Sequence, residues 1–243
     1  MLQKLLTVTC LFAVLLSAGC GTPVKEEKVA LDYAGAGFVQ IFNGADLTGW
    51  DGNMKYWSVK DGAITGEWGF DNPLKSNTYL IWRAGEVADF EMHISYKIVK
   101  GNSGVQFRSK ELEGFDVAGY QADLEVSLEP GSTWTGALYD ENGSRQALAM
   151  CGQKVVFDEG GKKTVTPLGD QADILKHVKL EDWNDYHIIA VGSEITLKIN
   201  GVTVAEVSDK QKGKALSSGI VGMQLMCMEP TKVQFKDIWL KKL

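Results

Sequence analysis

The stretch "FEMHISYKIV" (Phe90–Val99) constrains this chain more than any other. Phe90, Met92, Ile94, Tyr96 and Ile98 alternate with Glu91, His93, Ser95 and Lys97. A period of two puts the apolar set on one face of a strand, as in an antiparallel sheet with one face on a core. "EITLKINGVTVAEV" (Glu194–Val207) repeats the pattern as a hairpin, with Asn200-Gly201 as its tight turn. "KVQFKDIWLKKL" closes the chain as a further strand. Turn signals recur at Asn43-Gly44, Asp51-Gly52, Asp61-Gly62 and Asn142-Gly143, and 27 Gly stand against only 5 Pro. Such punctuation belongs to sheets rather than coil. Only "GDQADILKHV" (Gly169–Val178) suggests a helical turn, and no internal repeat is found. The expected fold is all-β, a jelly-roll sandwich of two antiparallel sheets.

The first residues stand apart. "MLQK" is followed by the apolar run "LLTVTCLFAVLL" and then "SAGC". The run is too short to span a bilayer comfortably and reads as a secretory signal over residues 1–19. It resembles a bacterial lipoprotein signal, in which Cys20 becomes the lipidated first residue. That resemblance implies export and a lipid anchor in a bacterial membrane, with the outer membrane expected. Residues 20–36 then form a polar tether, and 37–243 the domain.

The chain carries 25 Lys+Arg against 31 Asp+Glu, a net charge of −6, with no basic run. That argues against a nucleic-acid partner. Of the four cysteines, Cys10 and Cys20 lie in the leader, leaving Cys151 and Cys227. An exported compartment permits a disulfide between them, but sequence does not supply the geometry one needs.

Nucleotide loops and the Gly-x-Ser-x-Gly elbow are absent from the sequence. His93, His177 and His187 have no second ligand at metal spacing, which favours surface or satisfied histidines. What remains is aromatics and carboxylates, the pair that sugar sites use. Trp57, Trp183 and Trp239 are expected in the core. Trp68, Trp82 and Trp134 sit in Gly-rich or polar text and are candidates for a ligand surface. "GYQADLEVSLEPGSTWTGALYDE" (Gly119–Glu141) is the densest such region. Extended, it puts Tyr120, Ala122 and Leu124 on one face and Gln121, Asp123 and Glu125 on the other. Thr135, Ala137, Tyr139 and Glu141 share a face in its second half. On spacing alone, a solvated polar face and a site are equally good readings.

"FVQIFNGADLTGW" (Phe38–Trp50), "NSGVQFRS" (Asn102–Ser109), "GYQADLE", "TGALYDE" and "WNDYHIIAVGSEITLKING" (Trp183–Gly201) occur in this order. Together they resemble the 3-keto-disaccharide hydrolase domain family, from about Phe38 to the C-terminus. The resemblance implies a concanavalin A-like sandwich with its ligand on the concave sheet. It also implies a carbohydrate substrate oxidised to a ketone at C3. It carries over Asn102, Arg108, Gln121, Asp123, Tyr139 and Glu141 as site residues. Near the C-terminus many members have Leu-Gln-Leu-His, whereas this chain reads "MQLMCMEP" (Met223–Pro230), with Met226 in the histidine's place.

A C3 ketone acidifies the C2 proton, so a carboxylate base can remove it while the C1 substituent departs and water adds back. The expected roles follow. Asp123 or Glu141 is the base. Arg108 stabilises charge on O3, with a bound divalent metal as the alternative. Tyr139 donates to the leaving group, Asn102 and Gln121 read hydroxyls, and Trp134 stacks on the ring. Direct hydrolysis by two carboxylates is the other route. A carbohydrate-binding module without turnover is the alternative from another class.

Overall fold

The computed structural model describes residues 32–243. The expected signal, the expected lipidation site Cys20 and the expected tether up to residue 31 lie outside the described residues. The rest of the tether does not stay apart from the domain. Residues 32–37 form a turn, and the Tyr33 ring stacks on Trp239 at 5.5 Å and meets His93 at 4.8 Å.

Two sheets pack face to face, as the alternation requires. The larger has ten strands and centres on Phe90–Lys100, flanked by Asn184–Val191 and Lys232–Lys242. Phe90–Ile98 alternates buried and half-buried residues throughout. Phe90, Met92, Ile94 and Tyr96 point into the core, while His93 stacks on His187 of the adjacent strand, at 3.8 Å, on the outer face. Asn200 and Gly201 join Glu194–Ile199 to Val202–Asp209 with φ of 51° and 83°, the left-handed pair this turn demands. One pairing departs from the expected pattern. Gln153–Phe157 runs parallel to Val202–Asp209, which the longer connection between them permits. The helical turn is present at Gln171–Leu175, and Asp170 caps it by accepting from the Asp173 N–H.

The smaller sheet has seven strands. Across it run Gln146–Ala149, Leu138–Glu141, Val117–Glu125, Asn102–Glu111, Ile220–Leu225, Thr78–Trp82 and Trp50–Asp51. Val105, Phe107, Tyr120, Ala122 and Leu124 point to the core between the sheets. Strand spacing would set Leu138–Glu141 and Thr78–Trp82 roughly 19 Å apart in a flat sheet, at about 4.8 Å per step. Yet the Asn77 amide, one residue before Thr78, reaches Glu141 Oε1 at 3.3 Å. The sheet is therefore curled, and its outer face is a trough.

The tryptophans sort differently from expectation. Trp57 is buried in the core. Trp183 and Trp239 instead lie half-buried on the outer side of the large sheet, and Trp183 is covered by the ammonium groups of Lys236 and Lys97 at 4.4 and 5.0 Å. Trp82, expected at a ligand surface, is buried. Cys151 and Cys227 are both free thiols.

Candidate functional site

The trough holds a cavity of about 570 Å³, lined by Asn102, Gln121, Asp123, Trp134, Tyr139 and Glu141. That volume is within the usual range of small-molecule sites, roughly 300–1,000 Å³. Strand geometry explains the grouping. Gln121 and Asp123 are two apart on one strand, and Gln121 pairs with Tyr139 on the next. Glu141 follows two residues on, and Asn102 begins the strand on the other side. Six of the seven catalytic and substrate-binding residues expected from sequence thus meet in one cavity.

Arg108 does not join them. The register slips between Phe107 and Lys110, and Arg108 takes φ 48°. This bulge turns the side chain off the Gln106 face. Its guanidinium is spent on the carbonyls of Ala88 (2.7 Å), Gly192 (2.7 Å) and Leu216 (3.3 Å) and on Asp89 Oδ1 (3.0 Å). Arg108 ties loops together away from the cavity. The expected stabiliser of O3 charge must be found elsewhere.

The floor is a buried hydrogen-bond network. Gln106 Nε2 donates to Gln121 Oε1, and Gln121 Nε2 to Asp123 Oδ1, each at 2.6 Å. Gln121 Nε2 also lies 3.3 Å from Gln224 Oε1, and Gln224 Nε2 donates to the Tyr79 hydroxyl at 2.9 Å. One chain of amides thus runs from the Asp123 carboxyl to the Tyr79 phenol. Burial raises the Tyr79 phenol, and the nearby Glu141 carboxylate raises it further. Asn102, though only 6% exposed, has no side-chain hydrogen bond among the described residues, so its amide is left for a ligand.

Environment separates the two acids. Burial holds the Asp123 carboxyl well above the usual carboxylate range, opposed only by the Gln121 bond, while Glu141 and Glu125 add to the rise. Burial also raises Glu141, while the nearby Tyr79 phenol and the Asn77 amide that donates to it act in the other direction. Tyr139 is raised by burial and then by the three acids around it, so its phenol keeps its proton. The other acids of the region are engaged structurally. Glu125 accepts from the Trp134 N–H at 2.8 Å, and Asp140 pairs with Arg145 at 3.1 Å.

Asn77, Tyr79, Gln106 and Gln224 were not found from sequence. "NTYLI" does place Asn77, Tyr79 and Ile81 on one strand face, but nothing local says that face meets Glu141. Met226 and Met228 line the cavity as well. No group of three or more His, Cys, Asp or Glu fit to hold a metal occurs among the described residues.

Curled jelly-roll sheet, carboxyl pair and exposed tryptophan define a β-sandwich with a candidate small-molecule site on its concave face. The family follows from the chain itself: residues 37–241 match the model of the 3-keto-alpha-glucoside-1,2-lyase-like domain, and the protein belongs to that family. This is the family its motifs resemble. Two candidate glycosyl hydrolases of Parabacteroides distasonis share the fold. One is 20% identical with a TM-score of 0.54, over 88% of this chain and 98% of its own. The other is 16% identical with a TM-score of 0.56, over 85% and 99%. The carbohydrate-binding module CBM66 of Bacillus subtilis also shares it, at 14% identity and a TM-score of 0.51, over 80% and 96%. No curated protein matches this chain.

Proposed function

We propose that the trough cleaves the glycosidic bond of 3-keto glycosides by elimination across C1 and C2. Glu141, raised by burial less far than Asp123 and accepting a hydrogen bond from the Asn77 amide, takes the C2 proton. The C–H electrons form the C1–C2 double bond as the C1–O bond breaks. Asp123, kept protonated by burial, gives its proton to the leaving oxygen. The Tyr139 phenol and the unpaired Asn102 amide hold the charge developing on O3, the role first given to Arg108. Addition of water to the enone then returns the 3-keto sugar, so the net change is hydrolysis.

The observation that carries this reading is a pair of carboxyls in one cavity that burial raises unequally, Asp123 the further and Glu141 with the Asn77 amide donating to it, a difference that can divide acid from base. Membership of a 1,2-lyase-like family and the carbohydrate-related names of the structural neighbours support the same reading. The test is to offer purified protein 3-keto-trehalose and 3-keto-glucosides beside the unoxidised sugars. Release from the keto substrates alone, with a transient enone absorbance, is expected. No release from any keto substrate, with or without divalent metal, sinks it.

A second reading is a binding module without turnover. It is favoured by Met226, which lines the cavity where many members carry histidine. Sugar binding without release would decide for it. In either case we infer an exported protein anchored through Cys20. Cys20→Ala, fractionated with wild type, should leave the membrane pellet, and its retention there would overturn the anchor.

A further inference from the structure

Two side chains of the cavity wall, both thioethers, have no evident part in sugar recognition. Met226 and Met228 line the cavity, as does Trp134. Met228 is 84% exposed and Trp134 37%. Ile220–Leu225 and Val117–Glu125 run in the same direction on either side of the strand that begins at Asn102. The loops that follow Leu225 and Glu125 therefore leave the same end of the sheet and flank Asn102.

Both loops are held by their backbones. The Trp68 indole N–H donates to the Met226 carbonyl at 2.5 Å, and the Cys227 N–H to Asn77 Oδ1 at 3.0 Å. Glu125 and Thr135 fix the Trp134 loop through bonds of 2.8 and 3.0 Å. The backbone is thus fixed at Met226, Cys227 and Trp134, with Met228 one residue beyond. A thioether offers no donor and a poor acceptor, so it has little to give a second sugar's hydroxyls. It is polarisable and packs well against aromatic rings, as does an indole face.

We propose that Met226, Met228 and Trp134 form a subsite for an aromatic leaving group, making aryl glycosides the preferred substrate class. The inference rests on the function proposed above only for the sugar's oxidation state.

The test separates the two. Unoxidised phenyl and methyl glucosides, both anomers, lack the acidified C2 proton and stay intact under the proposed reaction. Their affinities are measured by calorimetry for wild type and for the double variant M226Q/M228Q. Wild type should prefer phenyl over methyl by about tenfold, and the variant should lose most of that preference. The kcat/KM ratio for the phenyl and methyl 3-keto glucosides should fall in the variant by a similar factor. Comparing ratios cancels the better leaving ability of phenol. Phenyl preference without turnover sinks the reaction and leaves the subsite standing. Equal wild-type affinities, or a preference that survives in the variant, overturn the subsite whatever the turnover.

Discussion

The Gln121 amide nitrogen donates to Asp123 Oδ1 at 2.6 Å, and this is the only side-chain hydrogen bond that the buried carboxyl receives among the described residues. A carboxylate so placed lacks the partners that would support its charge. Because Asp123 is raised in the fold, the native state binds its proton more tightly than the unfolded chain does. Its contribution to stability is full below the unfolded value of about 4 and is lost as pH rises toward the folded value. Asp123→Asn removes that loss. The variant should melt above wild type at pH 8, by more than about 2 °C, and match it near pH 4. It should also lose turnover by about 100-fold or more. Calorimetric melting and rate assays on one preparation check both.

Glu141→Gln should abolish turnover by a comparable factor, about 10²–10⁴-fold, because it removes the base rather than the acid. The wild-type rate should be bell-shaped in pH. Its acidic limb belongs to Glu141, raised from the ordinary glutamate value by burial, and its basic limb to Asp123. Residual activity in Glu141→Gln should lack the acidic limb, and that in Asp123→Asn the basic limb. A pH–rate profile of kcat/KM for each variant reads this directly.

How far the sequence was legible depends on how local each feature is. Alternation in Phe90–Val99 and the Asn200-Gly201 turn are written within a few residues, and both appear as expected. The cavity set Gln121, Asp123, Tyr139 and Glu141 was legible because two adjacent strands carry it within 21 residues of each other. Arg108 misled because period-two reasoning puts it beside Gln106, and a bulge at φ 48° is invisible without the carbonyls of Ala88, Gly192 and Leu216 that stabilise it. Asn77 and Tyr79 were missed for the complementary reason. Only the curl of the sheet brings them across three strands to Glu141.

Arg108 should behave as a structural residue. It is 1% exposed, and its removal leaves the carbonyls of Ala88, Gly192 and Leu216 without this partner and a void where the guanidinium lay. Arg108→Ala should lose roughly 3–5 kcal/mol in urea denaturation. Folded Arg108→Ala protein should keep the wild-type pH–rate profile. A lost or shifted limb with stability intact would return Arg108 to the catalytic set.

The two thiols should differ in reactivity. Cys151 is 3% exposed, and burial pushes its thiol up to about 11. Cys227 is half-buried on the loop at the cavity rim. In protein lacking residues 1–20, a disulfide-exchange reagent at pH 8 should consume one thiol promptly and the second only on unfolding. Reaction of neither thiol in denaturant without reductant would reveal a disulfide, against the free pair found here.

Met226→His tests what the departure from the family pattern costs. The backbone at this position is fixed by the Trp68 indole and, one residue on, by Asn77, so an imidazole at 226 would project into the cavity that the thioether now lines. Imidazole can donate or accept a proton near neutrality, and a thioether can do neither. Met226→His should therefore raise kcat/KM on a 3-keto disaccharide by at least about tenfold and add a pH dependence centred near 6.5. It should at the same time weaken any preference for aryl over alkyl leaving groups, because one of the two thioethers is gone. A variant with unchanged rate and pH profile would mean that Glu141 and Asp123 carry both proton transfers unaided. A variant that turns over substrate where wild type only binds it would mean that Met226 is what withholds turnover.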